Sequence, residues 1–449
     1  MASTRQQKAW YFYDWANSAY ITTTSTVILG PYLTSLATRS VCPDLPSGQA
    51  CATPVSLLGF GVLPGAVHPF LITISTIITL VTLLIVGVLA DRSSRPQLWL
   101  GSIAWIGAVA ASAMVLLSGT NWQLGAVLMI IANACVGSSL VIYDGILVRI
   151  AKPDDRDAVS SRGWALGYLG GGLLLGVNLV LLTAYQPLGI SYEAAIRISL
   201  LSAGLWWGLF TIIPVLGLRG LPQRSLDEQE LRATVRTNPL RQLGNTFADL
   251  RKYPQTLLFL AAYLFYNDGI QTVIGQSSLY AQSELQMSTA NVMITFLVTQ
   301  FVAFGGALLF GRIAAVLGAK RTVLIGIGIW LAVVCIAFFL PAGVFGALLA
   351  LGAAIGLVMG GTQALSRSMY SQLVPKGRES EYFSFYQTME RGTSWLGTLS
   401  FAIVFQIGQS YRLAILGLIV FFLVGGVLLT RVDMRKGIAD AGNELPKVL

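Results

Sequence analysis

The chain is a succession of a dozen apolar stretches, each about 20 residues or longer, separated by short charged segments. A helix of that length crosses a hydrocarbon core of roughly 30 Å, and in lipid it satisfies its own backbone amides and carbonyls. The pattern therefore restricts the chain to an all-α membrane protein. A transmembrane barrel needs segments of about ten residues with alternating polarity, and these stretches are longer and uniformly apolar. Charged residues are 11% of the chain, against roughly 25% in a soluble globular protein, too few to cover a water-facing surface.

The apolar stretches predict helices over 12–37, 67–90, 97–118, 122–150, 163–184 and 194–218 in the first half. In the second half they predict 254–283, 291–317, 321–341, 344–370, 382–407 and 411–432. This gives twelve transmembrane helices in two six-helix bundles, 1–218 and 254–449. The polar connector between them, 219–253, carries Asp227, Glu228, Glu230, Arg232 and Arg236 between the breakers Pro222 and Pro239. The N-terminus runs through Lys8 into a helix too long for the core of a cleavable signal.

The net charge of +9 does not mark a nucleic-acid partner, because the Lys and Arg residues are dispersed between apolar blocks. They report topology instead. Arg39 and Arg412 fall in loops of one side, and most of the other 27 fall in loops and termini of the opposite side. Positive charge is retained on the cytoplasmic side, which places both termini and the connector in the cytoplasm. Cys42 and Cys51 then share the longest outer loop, where an oxidising environment permits a disulfide; they are the disulfide candidates. Cys135 and Cys335 fall inside apolar spans and are expected to be core residues.

The two halves repeat. Gly87, Asp91 and Arg92 at the end of the second helix correspond to Gly311, Ala315 and its neighbours at the end of the eighth. Pro153 and Arg156 after the fourth correspond to Pro375 and Arg378 after the tenth. Parallel repeats of this kind place a solute site at the midplane between the halves.

The Gly87–Arg95 stretch, with Asp91, Arg92 and Arg95, resembles the loop signature of the major facilitator superfamily. Four longer words are more specific: YDWANSAY (Tyr13 to Tyr20), GWALGYLGGG (Gly163 to Gly172), YNDGIQTVI (Tyr266 to Ile274) and ALSRSMYSQLVPKGRESEYFSFY (Ala364 to Tyr386). Together the chain resembles the branch that holds the autophagy-related vacuolar amino-acid effluxers and their bacterial relatives. The resemblance implies a twelve-helix major facilitator fold, a bacterial plasma-membrane location and export of an amino acid or similar solute. Two departures stand out. Ala315 replaces the Asp expected in the second loop signature, and the fourth helix reads VIYDGILVRIA (Val141 to Ala151), gaining Asp144 and lacking a Pro.

Charges inside the membrane are costly, about 2.5–3.5 kcal/mol each near the centre, so they mark pathways or partners. Asp268 lies nearest the midplane, between Asn267 and Gly269, a pair expected to loosen the seventh helix. A carboxyl at that depth costs less protonated than ionised, as a proton carrier requires. The alternative is a structural Asp bonded to a neighbouring helix. Glu390 and Arg391 lie in the inner part of the eleventh helix and point about 100° apart, so each needs a partner elsewhere. Arg367 in the tenth is a candidate mate for Glu390, or a bidentate grip for a carboxylate or phosphate. Gln363 and Asn17 extend the polar path. Asp144 is either part of that path or the partner of a cation. Asp14 sits among Trp10, Tyr11, Tyr13 and Trp15 and reads as a solvated carboxylate in an interfacial aromatic belt. Asp91, Arg92 and Arg95 read as a gating loop. The Gly-rich run beginning at Gly163 has the small-residue spacing of close helix packing.

No Walker-type phosphate loop and no metal-ligand spacing occurs, so no cofactor, metal or ATP requirement is expected. The resulting expectation is a monomeric secondary transporter, not an enzyme, moving a small solute with proton coupling. Efflux of amphipathic drugs or lipids is the alternative cargo, and a non-transporting membrane scaffold the alternative class.

Overall fold

The computed structural model describes residues 4–44, 51–221, 249–391, 394–408 and 410–449. The first span opens on a reciprocal cap: Thr4 Oγ1 accepts the Gln7 N–H at 3.2 Å, and Gln7 Oε1 accepts the Thr4 N–H at 3.0 Å. It continues as α1 (Arg5–Ala19), a nine-residue π-helical segment (Tyr20–Ile28) and α2 (Leu29–Val41). A short hairpin follows, β1 (Val55–Leu57) and β2 (Phe60–Val62), turning through Leu58 and Gly59 with φ of 51° and 86°. Positive φ at both turn residues matches the right-handed twist of the flanking strands.

The remaining first-half spans are α3 (Pro64–Asp91), α4 (Pro96–Ala113), α5 (Trp122–Ile150), α6 (Arg156–Thr183), and α7 (Tyr192–Phe210) with α8 (Ile212–Gly217). The second half comprises α9 (Pro254–Ser283), α10 (Thr289–Leu317), α11 (Ala319–Phe339) and α12 (Phe345–Gln372). It continues with α13 (Glu379–Arg391), α14 (Ser394–Gly408), α15 (Tyr411–Gly417), α16 (Ile419–Arg431) and the tail helix α17 (Met434–Asp440). Among the described residues ten stretches are long and apolar enough to cross a membrane. Of the two further spans, the first is divided by its π-helical segment, and the eleventh is described as Glu379–Arg391 and Ser394–Gly408, on either side of residues outside the described set.

Two large clusters of buried apolar side chains hold the molecule together, one drawn from Trp10 to Leu218 and the other from Leu250 to Ile438. Around them the outward faces are apolar: Val81, Val109, Val177, Leu209 and Val420 are each more than half exposed. In water such a surface is an aggregation hazard, whereas in a bilayer it is the lipid face. Gln7 Nε2 donates to the Ile150 carbonyl at 2.9 Å, and the Lys447 N–H to Asp154 at 2.6 Å. Both termini therefore meet the turn between α5 and α6, on one side of the molecule. Cys42 and Cys51 are joined by a disulfide near the opposite end of the first span.

Several expectations change. The seventh span, α9, is an uninterrupted α-helix through Asn267 and Gly269. Its glycine serves packing, since a Cβ at Gly269 lies 3.1 Å from the Phe422 ring. The irregular span is instead the first, where the run Ile21–Ile28 is almost entirely β-branched or hydroxylated, residues that crowd an α-helical turn. The aromatic cluster around Asp14 is no interfacial belt, because Trp10, Tyr11 and Tyr13 are buried in the first-half core. Cys335 is exposed on an outer helix face. The acidic and basic residues read in the connector lie outside the described residues.

Candidate functional site

The site is assembled by glycine. α6 packs on α1 through Gly163, Gly167, Gly170 and Gly171, and a Cβ at any of them would stand within 2.9 Å of an α1 side chain or backbone atom or of Thr22. The Gly-rich run therefore lets two helices approach closely, as its spacing suggested. At Gly163 the atoms it admits are Asp14 Oδ2 and the Trp10 ring, each 2.8 Å from the added Cβ, and Tyr143 Oη at 3.0 Å.

Those groups form the wall of a buried charged cluster. Trp10 stacks on Tyr143 with centroids 4.2 Å apart, and its Nε1 donates to the Tyr143 carbonyl at 2.8 Å. The Tyr143 hydroxyl donates to Asp14 Oδ2 at 2.7 Å. Arg367, from α12 of the other half, enters between them. Its Nη2 donates to Asp14 Oδ2 at 3.2 Å, its Nη1 to Asp144 Oδ1 at 3.3 Å and its Nε to Ser160 Oγ at 2.9 Å. The guanidinium also lies 4.9–5.3 Å from the ring centroids of Trp10, Tyr143 and Trp164. Arg367 and Asp144 are 2% and 1% exposed, so this is a desolvated charge pair held by surplus hydrogen bonds.

A second polar layer continues the cluster. Gln387 Nε2 donates to Asp144 Oδ2 at 2.8 Å and to Glu390 Oε2 at 3.3 Å, linking the two carboxylates through one amide. Tyr263 Oη donates to the same Glu390 oxygen at 3.3 Å, and Arg391 Nε donates to Gln387 Oε1 at 3.1 Å. Residues 387, 390 and 391 share one face of α13 by their i, i+3, i+4 spacing. Tyr168 donates to Gln363 at 2.6 Å across the two halves. Asn17 Nδ2 is spent on its own helix, donating to the Tyr13 carbonyl at 2.7 Å.

This cluster floors a cavity of about 970 Å³. Asp14, Asn17, Asp144, Gln363, Arg367, Glu390 and Arg391 all line it. From there it runs between the halves toward the side opposite the termini, past Thr22, Thr299, Ile72, Tyr280, Val292 and Leu348. The π-helical segment contributes Ile21, Thr22 and Thr26 to its wall, with Thr26 Oγ1 donating to a carbonyl five residues back, Ile21, at 2.9 Å. Gln300 of α10 donates to Thr22 at 3.2 Å, a contact between halves inside the cavity.

The terminus side is shut. Asp91, at the end of α3, receives the N–H of Ser380 at 3.0 Å and of Glu381 at 2.7 Å, so its carboxylate caps the amino end of α13 in the other half. Gly87 permits the approach: a Cβ there lies 2.8 Å from the Ser380 carbonyl oxygen. Arg92 is half-buried beside it and Arg95 exposed. In the mirror-related contact Gly311 packs on Ser161, at 2.7 Å from Cβ to Oγ. With Ala315 in place of an acid, that side is closed by other groups. Arg156 Nη1 donates to the Ser371 carbonyl at 2.8 Å and to Gln372 at 3.2 Å, while Ser368 donates to Asp157 at 2.5 Å.

Two sequence readings, on Asp14 and on the partner of Arg367, are corrected here. Asp14 is 6% exposed and paired, because the aromatic residues beside it pack inward and carry it with them. Arg367 pairs with Asp14 and Asp144 rather than with Glu390, whose Oε2 accepts from Tyr263 and Gln387. Asp268 and Asn267 stand behind the cavity wall. Asp268 Oδ2 receives the Gly397 N–H of α14 at 2.7 Å, and Asn267 donates to the Glu390 carbonyl at 3.4 Å. That hydrogen bond ties the carboxylate to the neighbouring helix. Sequence reasoning did not single out Tyr143, Ser160, Trp164, Tyr168, Tyr263 and Gln387. The spacing 160, 164, 168 on α6 was the available signal, since it sets all three on one helix face.

A helical bundle of two similar halves around a central cavity, shut on one side by helix caps and open toward the other, defines a facilitator-type transporter. Solved structures share this fold. The fucose:proton symporter FucP of E. coli superposes with a TM-score of 0.69 at 13% identity, covering 96% of this chain and 98% of the symporter. A bacterial homologue of the iron transporter ferroportin, in an outward-facing state, gives 0.62 at 12% identity over 95% and 98%. The chain belongs to the vacuole effluxer Atg22 like family, whose profile matches residues 2–442. Its relatives include the uncharacterized MFS-type transporter YxiO of Bacillus subtilis, 30% identical over 99% of both chains. Autophagy-related protein 22-2 of Emericella nidulans is 24% identical over 88% of this chain and 81% of that one.

Proposed function

We propose that this transporter exports an amino acid or similar small polar metabolite by alternating access, coupled to protons. The observation that carries the reading is the cavity floor, where carboxylates and guanidiniums stand side by side: Asp14, Asp144 and Glu390 with Arg367 and Arg391. Arg391 and Glu390 both line the cavity, a guanidinium of the kind that binds a ligand carboxylate and a carboxylate of the kind that binds an ammonium group. A zwitterion answers both. The vacuole-effluxer description of the family supports the export direction.

In this reading the halves 1–218 and 254–449 rock about the cavity, joined by the connector 219–253. The basic loops and termini face the cytoplasm of a plasma membrane, and the conformation described is outward-facing. Asp144 and Glu390, which both accept from Gln387 Nε2, are the proton-binding pair, two carboxyls brought close together at the cavity floor. The apolar upper wall, with Ile72, Ile77, Leu80, Val292, Leu348 and Leu351, favours an amphipathic cargo as a second reading.

Proteoliposomes with an imposed pH gradient test the proposal, after a thermal-shift screen of amino acids, other polar metabolites and amphipathic compounds has found a stabilising cargo. The expected result is gradient-driven accumulation of an amino acid by the parent. Glu390→Gln should lose gradient-driven accumulation and weaken solute exchange. Stabilisation by amphipathic compounds alone, or transport by the parent indifferent to the gradient, would overturn it.

A further inference from the structure

The closed terminus side is shut differently at its two seams. At one, Asp91 of the first half caps α13 of the second. At the other, Ala315 stands where the repeat would set an acid at the end of α10, so no carboxylate there can cap α6. The segment that crosses this second seam is the tail that follows α17.

α17 itself belongs to the second half. Ile438 is fully buried in that half's core. Gly437 lets the helix approach closely, since a Cβ there lies 2.6 Å from Leu373 Cδ2 and 2.9 Å from Gln255 Cβ. Lys320 Nζ donates to the Thr430 and Val432 carbonyls at 2.9 and 2.7 Å, which fixes the chain that enters the helix. Gly442, with φ of 71°, follows the helix end and turns the chain. Asn443 Nδ2 then donates to the carbonyls of Gln372 and Val374, each at 2.8 Å, so the tail departs from the end of α12.

Beyond that anchor the tail reaches the first half. Glu444 lines a small cavity together with Arg156, and their charges attract. The Lys447 N–H donates to Asp154, in the turn between α5 and α6, at 2.6 Å. The chain at Leu449 then lies against Gly318, in the turn between α10 and α11, where any Cβ would strike its backbone. The tail thus runs from the second half to the first and back, and it meets the turn that follows Ala315. Separating the halves at this seam breaks its hold either on Asp154 or on α12.

We propose that residues 441–449 are a strap that holds the terminus side shut, at the seam where Ala315 leaves no acid to cap α6. The bond to Asp154 is exposed, so water competes for it and the strap can let go and re-form in each cycle. The proposal rests on rocking of the two halves and not on the choice of transported solute.

Distances between spin labels at Ser94 and Arg321, an exposed position in each half, test it in the full chain without free thiols. Asp154→Ala keeps the tail and removes its acceptor, and a stop codon after Gly442 removes the tail. Both changes lie outside the solute cavity. Asp154→Ala should shift the population toward longer distances by roughly fivefold, the weight of one net hydrogen bond, and loss of the tail should shift it at least as far. Combined, they should shift it no further than loss of the tail alone, because both release the same hold. Asp154→Ala is a surface substitution and decides the matter even if the shortened chain is unstable. An unchanged distribution in Asp154→Ala, or additive shifts in the combined variant, overturns the strap. Where Asp91→Ala still lengthens the distances, the rocking of the halves survives that failure.

Discussion

Arg367 and Asp14 stand 353 residues apart in the chain and 3.2 Å apart in the fold, joining the two halves at the floor of the cavity. Asp144 completes the triad from the opposite side of the guanidinium. Removing one partner from such a buried group leaves charge without compensation, at about 3–5 kcal/mol. Arg367→Ala is expected to lower the melting temperature sharply, and Arg367→Lys to recover only part of the loss because an ammonium lacks the fork. Combining Arg367→Met with Asp14→Asn and Asp144→Asn should restore much of the stability while transport stays absent. Thermal unfolding in detergent, paired with solute exchange, checks this.

Asp91 is expected to set the balance between conformations. Asp91→Ala deprives the Ser380 and Glu381 amides of their acceptor and weakens the closed terminus side by about 1 kcal/mol, roughly a fivefold shift in population. Spin labels at Ser94 and Lys376, in a background without free thiols, should report longer distances in the variant. An unchanged distribution would show that the Arg156 and Ser368 contacts close this side unaided.

Gly163→Ala should act like damage to the charged cluster although it alters no charge. The added methyl meets Asp14, Trp10 and Tyr143 at 2.8–3.0 Å, and overpacking of this kind costs about 1–3 kcal/mol. Reduced exchange together with a lowered melting temperature is the expected pair of results.

At Asp268 the expected pattern separates hydrogen bonding from charge. Asp268→Asn retains an oxygen for the Gly397 amide and should transport nearly as well as the parent. Asp268→Ala leaves that amide unsatisfied, at about 1–3 kcal/mol of stability. If Asp268→Asn abolishes pH-driven accumulation while sparing exchange, Asp268 is the proton carrier that its depth in the sequence suggested.

The helices were legible in the sequence because hydrocarbon thickness sets their length. The ninth apolar stretch, read as 321–341, is the helix Ala319–Phe339, and the seventh, 254–283, is Pro254–Ser283. The outer disulfide was legible because two cysteines share one loop. The cost of charge in lipid also picked out most of the cavity floor, since a residue such as Glu390 or Arg391 survives there only beside water or a partner.

Pairing was decided by the tertiary structure. Depth along a helix is a property of sequence position, whereas the direction a side chain faces depends on the rotation of each helix about its axis. Asp268 and Asp14 show the difference. The deeper residue turns to a backbone amide of a neighbouring helix, and the shallower one, carried inward by Trp10 and Tyr143 against Gly163, meets an arginine from the other half. Composition and spacing determined that this chain crosses the membrane many times with charges it must hide. Only packing between distant helices decided which charges neutralise one another and which are left facing the cavity.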